Sequence, residues 1–298
     1  MPSVPPRAAR APAPTPRTRR APTRRAPPIR RPQRRRAENF RRRLRRWQER
    51  ARRTWRLFAA APRPVRLTVA ALLALVLFSA VNLAYHVVRK PSEIFMPVSG
   101  VLDKSPAETW RDYAPLFREY ATANVAPALL AALAQAEGAG NPVAHTYWRW
   151  RLTWRPFAIF APASSAVGMY QMTDGAFAEA RHYCIRRHAV TEEGCWLTAL
   201  YARVIPSDAV ELAAIYLDRH VAAILASRPR GAPAPTPAQL ESLATLVHLC
   251  GSGPARAFAR RGFRLAPGER CGDHDPAAYL ARVAALARAF ERLAAAEE

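Results

Sequence analysis

The sequence predicts a mostly α-helical domain carried behind a single N-terminal membrane-spanning helix. Three observations predict it. Leu67–Val88 is a run of 22 residues without a charge. From Ser105 onward, helix-start signals recur ahead of apolar residues spaced by three or four. No long stretch alternates apolar and polar residues as a half-buried strand would.

Charge divides the chain before any motif is considered. Between Met1 and Arg66 stand 23 arginines against Glu38 and Glu49 alone, a net +21 of the chain's +24, leaving only +3 for the rest. The sequence pI of about 11.4 therefore describes an arm rather than the domain behind it. Residues 1–37 are rich in Pro, Ala and Arg and poor in core-forming residues, and are expected to be disordered. Over 38–60, Phe40, Leu44, Trp47, Ala51, Trp55 and Phe58 recur every three or four positions among arginines, which predicts a basic amphipathic helix. Such a helix lies on anionic lipid headgroups or binds nucleic acid phosphates. The adjoining apolar segment favours lipid and makes nucleic acid the lesser reading.

Residues 65–89 are expected to form the membrane helix. At 1.5 Å per residue, 22 apolar residues span about 33 Å, enough for the hydrocarbon core of a bilayer. Asn82 and His86 are its only strongly polar members. The basic region is too long, and the apolar run too extended, for a cleaved signal peptide. The Arg excess predicts an N-terminus held in the cytoplasm and export of everything after Lys90. Residues 90–104 read as a tether and 105–298 as the exported domain.

Export changes how Cys184, Cys195, Cys250 and Cys271 read. Outside the cytosol they suggest up to two disulfides; three pairings are open, and Cys184–Cys195 with Cys250–Cys271 is the local choice. The segment His182–His188 around Cys184 lacks paired metal-ligand spacing, so no metal is expected, and no cofactor is called for.

Within the domain, Ser105-Pro106-Ala107-Glu108 and Thr236-Pro237-Ala238-Gln239 have the form of capping boxes with Pro at the first helical position. Asp208 with Glu211 marks another start, Asp275-Pro276 opens the last helix, and Pro229–Pro235 reads as a surface loop. In Ala126–Asn141, Leu129, Leu130 and Leu133 form an apolar stripe, and Glu137 falls on the same stripe four residues after Leu133. Gly138, Gly140 and Asn141-Pro142 then stop the helix. A carboxyl at the negative end of a helix and on its buried face is disfavoured in its ionised form. That is the property a general acid needs.

A wider pattern surrounds Glu137. Glu137-Gly-Ala-Gly-Asn-Pro-Val-Ala144, followed by Ser165-Ala-Val-Gly168-Met169-Tyr170-Gln171-Met172, resembles the soluble-lytic type of lytic transglycosylase, a lysozyme-like family. Leu212–Leu217 with Tyr216 resembles the family's Tyr-Leu helix. Leu246–Pro254 resembles its Ala-Tyr-Asn-Ala-Gly-Pro-Gly segment, and Ala278–Val283 its closing Tyr-Val helix. These motifs lie in register over about residues 110–290.

The resemblance implies a lysozyme-like fold and cleavage of the β-1,4 bond between N-acetylmuramic acid and N-acetylglucosamine in peptidoglycan. It implies that Glu137 is the catalytic acid, and that Gly168, Met169, Tyr170, Gln171, Tyr216 and His248 border the saccharide. The chain departs from the family at Gly138, where Ser is usual, and at His248 and Leu249, where Tyr and Asn are usual. The gap from Glu137 to Gly168 is longer than usual in the family and is filled by Tyr147–Phe157, which carries Trp148, Trp150 and three arginines. It reads as a substrate wall, with packing inward or touching the membrane as the other readings.

Asp174 is the only obvious second acid in this region, and it is better explained as a helix N-terminal residue. A single acid suits a lytic route in which the sugar's own 6-hydroxyl is the nucleophile. Plain hydrolysis, a peptidoglycan-binding module without turnover, and an assembly factor whose arm recruits a cytoplasmic partner are the alternatives. The expected location is a bacterial inner membrane, crossed once, with the domain in the periplasm.

Overall fold

The computed structural model describes residues 31–95 and 99–297. The expectation of a disordered arm lies outside these residues as far as Arg30. The chain divides into two compact units at Ala74–Leu75.

In the first unit, helix α1 spans Arg31–Ala60, so it begins seven residues ahead of the expected start at Glu38. Pro32 explains the earlier start: proline is preset for the first turn, where its missing N–H is not needed. Trp47, Trp55 and Leu57 are exposed on α1, and the Trp55 and Phe58 rings sit 5.8 Å apart. Helix α2, Arg63–Arg89, contains the boundary, so its Leu75–Arg89 part belongs to the second unit; it is long and apolar enough to cross a membrane, and almost none of it is buried.

The second unit is mostly helical. After α2 come two short 3-10 turns, Pro91–Phe95 and Ser99–Leu102, then α3 (Pro106–Glu119) and α4 (Pro127–Gly138). A hairpin follows, made of β1 (Trp148–Trp150), one helical turn α5 (Pro156–Ile159) and β2 (Phe160–Pro162). Next are α6 (Asp174–Ala180), the hairpin of β3 (Cys184–Arg186) and β4 (Ala189–Thr191), and a 3-10 turn at Trp196–Leu200. Helices α7 (Pro206–Ala226), α8 (Pro237–Cys250), α9 (Ser252–Arg260) and α10 (Pro276–Ala295) complete it.

Helix α4 is the centre of the core. Every residue from Ala128 to Ala134 is buried, because a helix apolar on all sides can be surrounded. Its alanines let α3 and α10 approach closely, and Trp110, Phe117 and Phe290 fill the seam beside it.

The expected caps form at three helices. Ser105 and Thr236 each accept from the backbone three residues on, and the Glu108 and Gln239 side chains reach back. Asp275 accepts from the backbone N–H groups of Ala277 and Ala278. Helix α7 differs from expectation. It starts at Pro206, and Asp208 accepts instead from the Ala202 N–H. Glu211 caps nothing; it is buried and accepts from the Ile185 N–H and the Tyr201 hydroxyl. A buried carboxylate persists only when hydrogen-bonded in this way.

The expected tether is fastened rather than loose. Asn141 is fully buried and donates to the Ser99 carbonyl and to Asp103. Gln135 donates to the Lys104 carbonyl. Lys90 pairs with Glu93 at 2.9 Å, and Glu93 accepts from the Trp148 indole. Both disulfides take the local pairing, Cys184–Cys195 and Cys250–Cys271. The second ties the end of α8 to the loop that carries His274.

Candidate active site

Glu137 is the penultimate residue of α4, and Ala139 closes the helix in a left-handed conformation. The Ala139 N–H bonds back to the Gln135 carbonyl and the Gly140 N–H to that of Ala134, which gives the chain the sharp reversal expected from the glycines. Glu137 lines a cleft of about 470 Å³. Among the described residues lining that cleft it is the only carboxylate. Asp174 lies outside the lining, exposed, and is held by Arg203 at 2.7 Å.

Two side chains meet Glu137 from distant helices. The Tyr279 hydroxyl, on the first turn of α10, donates to Glu137 Oε1 in a short hydrogen bond. Burial, reinforced by the nearby charge of Glu137, pushes the Tyr279 phenol well above its ordinary pKa, so Tyr279 stays a donor. His248 Nε2 stands 3.7 Å from the same oxygen. Burial pushes His248 below the usual histidine range, against the pull of Glu137, so a neutral imidazole faces the carboxyl near neutral pH. Oε1 is therefore occupied.

The expected site residues separate into three groups. Tyr170, Gln171, Tyr216 and His248 line the cleft together with Glu137, and so does Leu249. Gly168 and Met169 do not; they shape the backbone beneath it. Gly168 has φ +78°, and a Cβ there would lie 2.2 Å from the Arg203 carbonyl oxygen. The Gln171 amide donates to the Gly168 carbonyl and closes the turn. Met169 and Tyr170 are buried in the core, and burial pushes the Tyr170 phenol well above its ordinary pKa.

Trp148 and Trp150 are also absent from the lining, which is supplied instead by Tyr147 and Arg149. The reason is strand geometry. Neighbours on a strand point to opposite faces, so if 147 and 149 face the cleft, 148 and 150 face away. Trp148 packs edge-on against His86 and tilted against Phe160, whereas Trp150 stacks on Phe160 and stays largely exposed.

Tyr279 and His274 are not among the expected site residues, whereas Tyr147 and Arg149 belong to the segment expected to form a substrate wall. Tyr279 stood in the closing-helix segment and was visible only as part of that pattern. His274 reaches the cleft because Cys271, three residues before it, is bonded to Cys250 at the end of α8. Among the described residues no cluster of three His, Cys, Asp or Glu has the geometry of a metal site. No known protein family, characterised protein or solved structure matches this chain.

The glycine after Glu137 has a local explanation. A Cβ on Gly138 would fall 2.8 Å from Met169 Cα and 3.0 Å from the Met169 carbonyl oxygen. The 168–171 turn thus rests directly on the end of α4, in the space a serine would need. Gly138→Ser is expected to lower stability by about 1–3 kcal/mol through overpacking. A thermal melt checks it; unchanged melting would mean that the turn yields freely.

Proposed function

We propose that the chain is a membrane-anchored lytic transglycosylase with a lysozyme-like domain, which cleaves the MurNAc-β-1,4-GlcNAc bond of peptidoglycan with Glu137 as its single acid and base. The observation that carries this reading is the cleft with one carboxylate, seated at the end of a buried apolar helix and held on one oxygen by Tyr279. Glycosidases that use two carboxyl groups need a partner roughly 5–10 Å away across the scissile bond. With one carboxyl, the nucleophile must come from the substrate or from water.

In the proposed reaction the Glu137 carboxylic acid gives its proton to the glycosidic oxygen as the C1–O bond breaks. The resulting carboxylate then takes the proton of the muramyl 6-hydroxyl. O6 closes onto C1, a 1,6-anhydro ring forms, and Glu137 returns to its acid form with no water consumed. Tyr279 on Oε1 leaves Oε2 as the oxygen free to exchange the proton, and it fixes the carboxyl's rotation. Tyr216, Gln171 and Arg149 along the cleft supply stacking, amide and cationic contacts suited to sugar rings and peptide-stem carboxylates.

The anchor in this reading is α2, with the arm in the cytoplasm and the domain in the periplasm of a bacterial inner membrane. The arginine asymmetry supports that orientation, and two disulfides suit an oxidising compartment. The arm's partners are membrane lipids, with recruitment of a cytoplasmic protein as its second role.

Digestion of purified sacculi by the full-length protein tests the reading through mass spectrometry of the products. Anhydromuramic ends are expected. Reducing ends alone would make the enzyme a hydrolytic muramidase. Binding without release of fragments would make the domain a peptidoglycan-binding module, an outcome favoured by Leu249 standing in the cleft where the family has a polar residue.

A further inference from the structure

The hairpin Tyr147–Pro162 carries an apolar surface that the cleft does not use. Leu152 and Trp154 at its tip are fully exposed, and Trp150 is 68% exposed. Arg149, Arg151 and Arg155 alternate with them and are exposed as well. Three large apolar side chains in water beside three cations are unfavourable for a hairpin with nothing to meet.

The position of the hairpin indicates what it meets. Asn82 and His86, the only strongly polar residues of the apolar run, both bond to its main chain. Asn82 Nδ2 donates to the Phe160 carbonyl at 2.7 Å, and His86 Nε2 lies 2.9 Å from the Phe157 carbonyl. Tyr85 stacks on Phe157 at 4.4 Å, and the Trp148 ring meets His86 edge-on at 5.0 Å. These contacts run along the last two turns of α2. Asn82 precedes Arg89 by seven residues, about 10 Å of helix axis. The hairpin backbone therefore stands level with the outermost part of the apolar helix. A polar side chain at that depth in a membrane is costly unless it has a protein partner, and the hairpin supplies one for both.

We propose that this hairpin is a second membrane contact. Trp150, Leu152 and Trp154 enter the headgroup boundary of the leaflet reached by the Arg89 end of α2, and Arg151 and Arg155 pair with lipid phosphates, while Arg149 stays with the cleft. Aromatic side chains and arginines are the residues that settle at this boundary, with insertion of about 5–10 Å. The inference rests on α2 being the membrane anchor. It extends that reading to the cleft, because Tyr147, Arg149 and Ala163 belong to the same hairpin or adjoin it and line the Glu137 cleft. The cleft then opens at the membrane surface, and its substrate is the glycan lying nearest the bilayer.

The test uses the full chain in phosphatidylcholine–phosphatidylglycerol vesicles. Among the described residues no cysteine is free, so one added cysteine can take a fluorescent label. Trp154→Cys reports on the tip, Leu77→Cys on the anchor, and Arg230→Cys on an exposed loop. The label at 154 is expected to lose most of its emission to lipid-borne bromine and little to aqueous iodide, with 230 showing the reverse. If 77 is quenched by lipid and 154 is quenched by iodide as 230 is, the hairpin proposal falls and the anchor stands. If neither 77 nor 154 is quenched by lipid, both readings fall. Shielding of 154 from iodide without lipid quenching would assign the tip to a second copy of the chain, and would overturn the proposal.

Discussion

Glu137→Gln is expected to reduce release of soluble fragments from sacculi by about 10²–10⁴-fold, with the melting temperature nearly unchanged. General acid–base catalysis contributes roughly that factor, equivalent to about 3–5 kcal/mol of transition-state stabilisation. The substitution keeps shape and volume, and the glutamine carbonyl oxygen still accepts from Tyr279. In the proposed reaction, what it removes is the transferable proton and the carboxylate that takes the second one. Binding of sacculi should persist, which separates a lost chemical step from a lost site. Full activity in the glutamine variant would end the single-acid reading, since no other carboxylate lines the cleft among the described residues.

The second large effect is expected at Gly168, a residue that never touches the cleft. Gly168→Ala should destabilise the domain by about 2–4 kcal/mol, combining left-handed strain with backbone collision. The added methyl would meet the Arg203 carbonyl oxygen at 2.2 Å, and neither backbone has a flexible end that can move aside. Arg203 is itself bonded to the Ser165 and Met172 carbonyls on either side of the turn, so displacing one displaces the other. Gln171 and Tyr170 would shift with it. A domain of this size is expected to lose about 2–4 °C of melting temperature per kcal/mol. Cleavage should fall further than the lost stability alone accounts for, because both residues border the cleft beside Glu137. A melting temperature within a degree of the parent would show that the close approach is not maintained in solution.

Much of this architecture was legible from local sequence. Ser105, Thr236 and Asp275 predict their helix starts because a capping side chain bonds to backbone only two or three residues away. The uninterrupted apolar run predicts α2, and the leucine stripe with its glycine stop places Glu137 at the end of a buried helix. Each of these signals lies within one contiguous stretch of chain, where spacing and conformation are directly coupled.

What the sequence could not determine depends on segments meeting across long separations. Tyr279 reaches Glu137 across 142 residues, and no periodicity encodes which turn of which helix will arrive there. Glu211 looks like a helix-start acid until β3 and Tyr201 close over it. The strands at 148–150 and 160–162 are three residues each, too short for alternation to reveal their phase. Only their pairing decides that Tyr147 and Arg149 belong to the cleft while the tryptophans between and after them do not. Asn82 and His86 are likewise polar exceptions in an apolar run, and only the structure shows that both bond to the hairpin carbonyls. The sequence by itself determined the capped helix starts, the apolar span and the place of Glu137 at a helix end. Tertiary packing alone decided what surrounds the acid, because those neighbours are chosen by burial and by the pairing of polar groups distant in the chain.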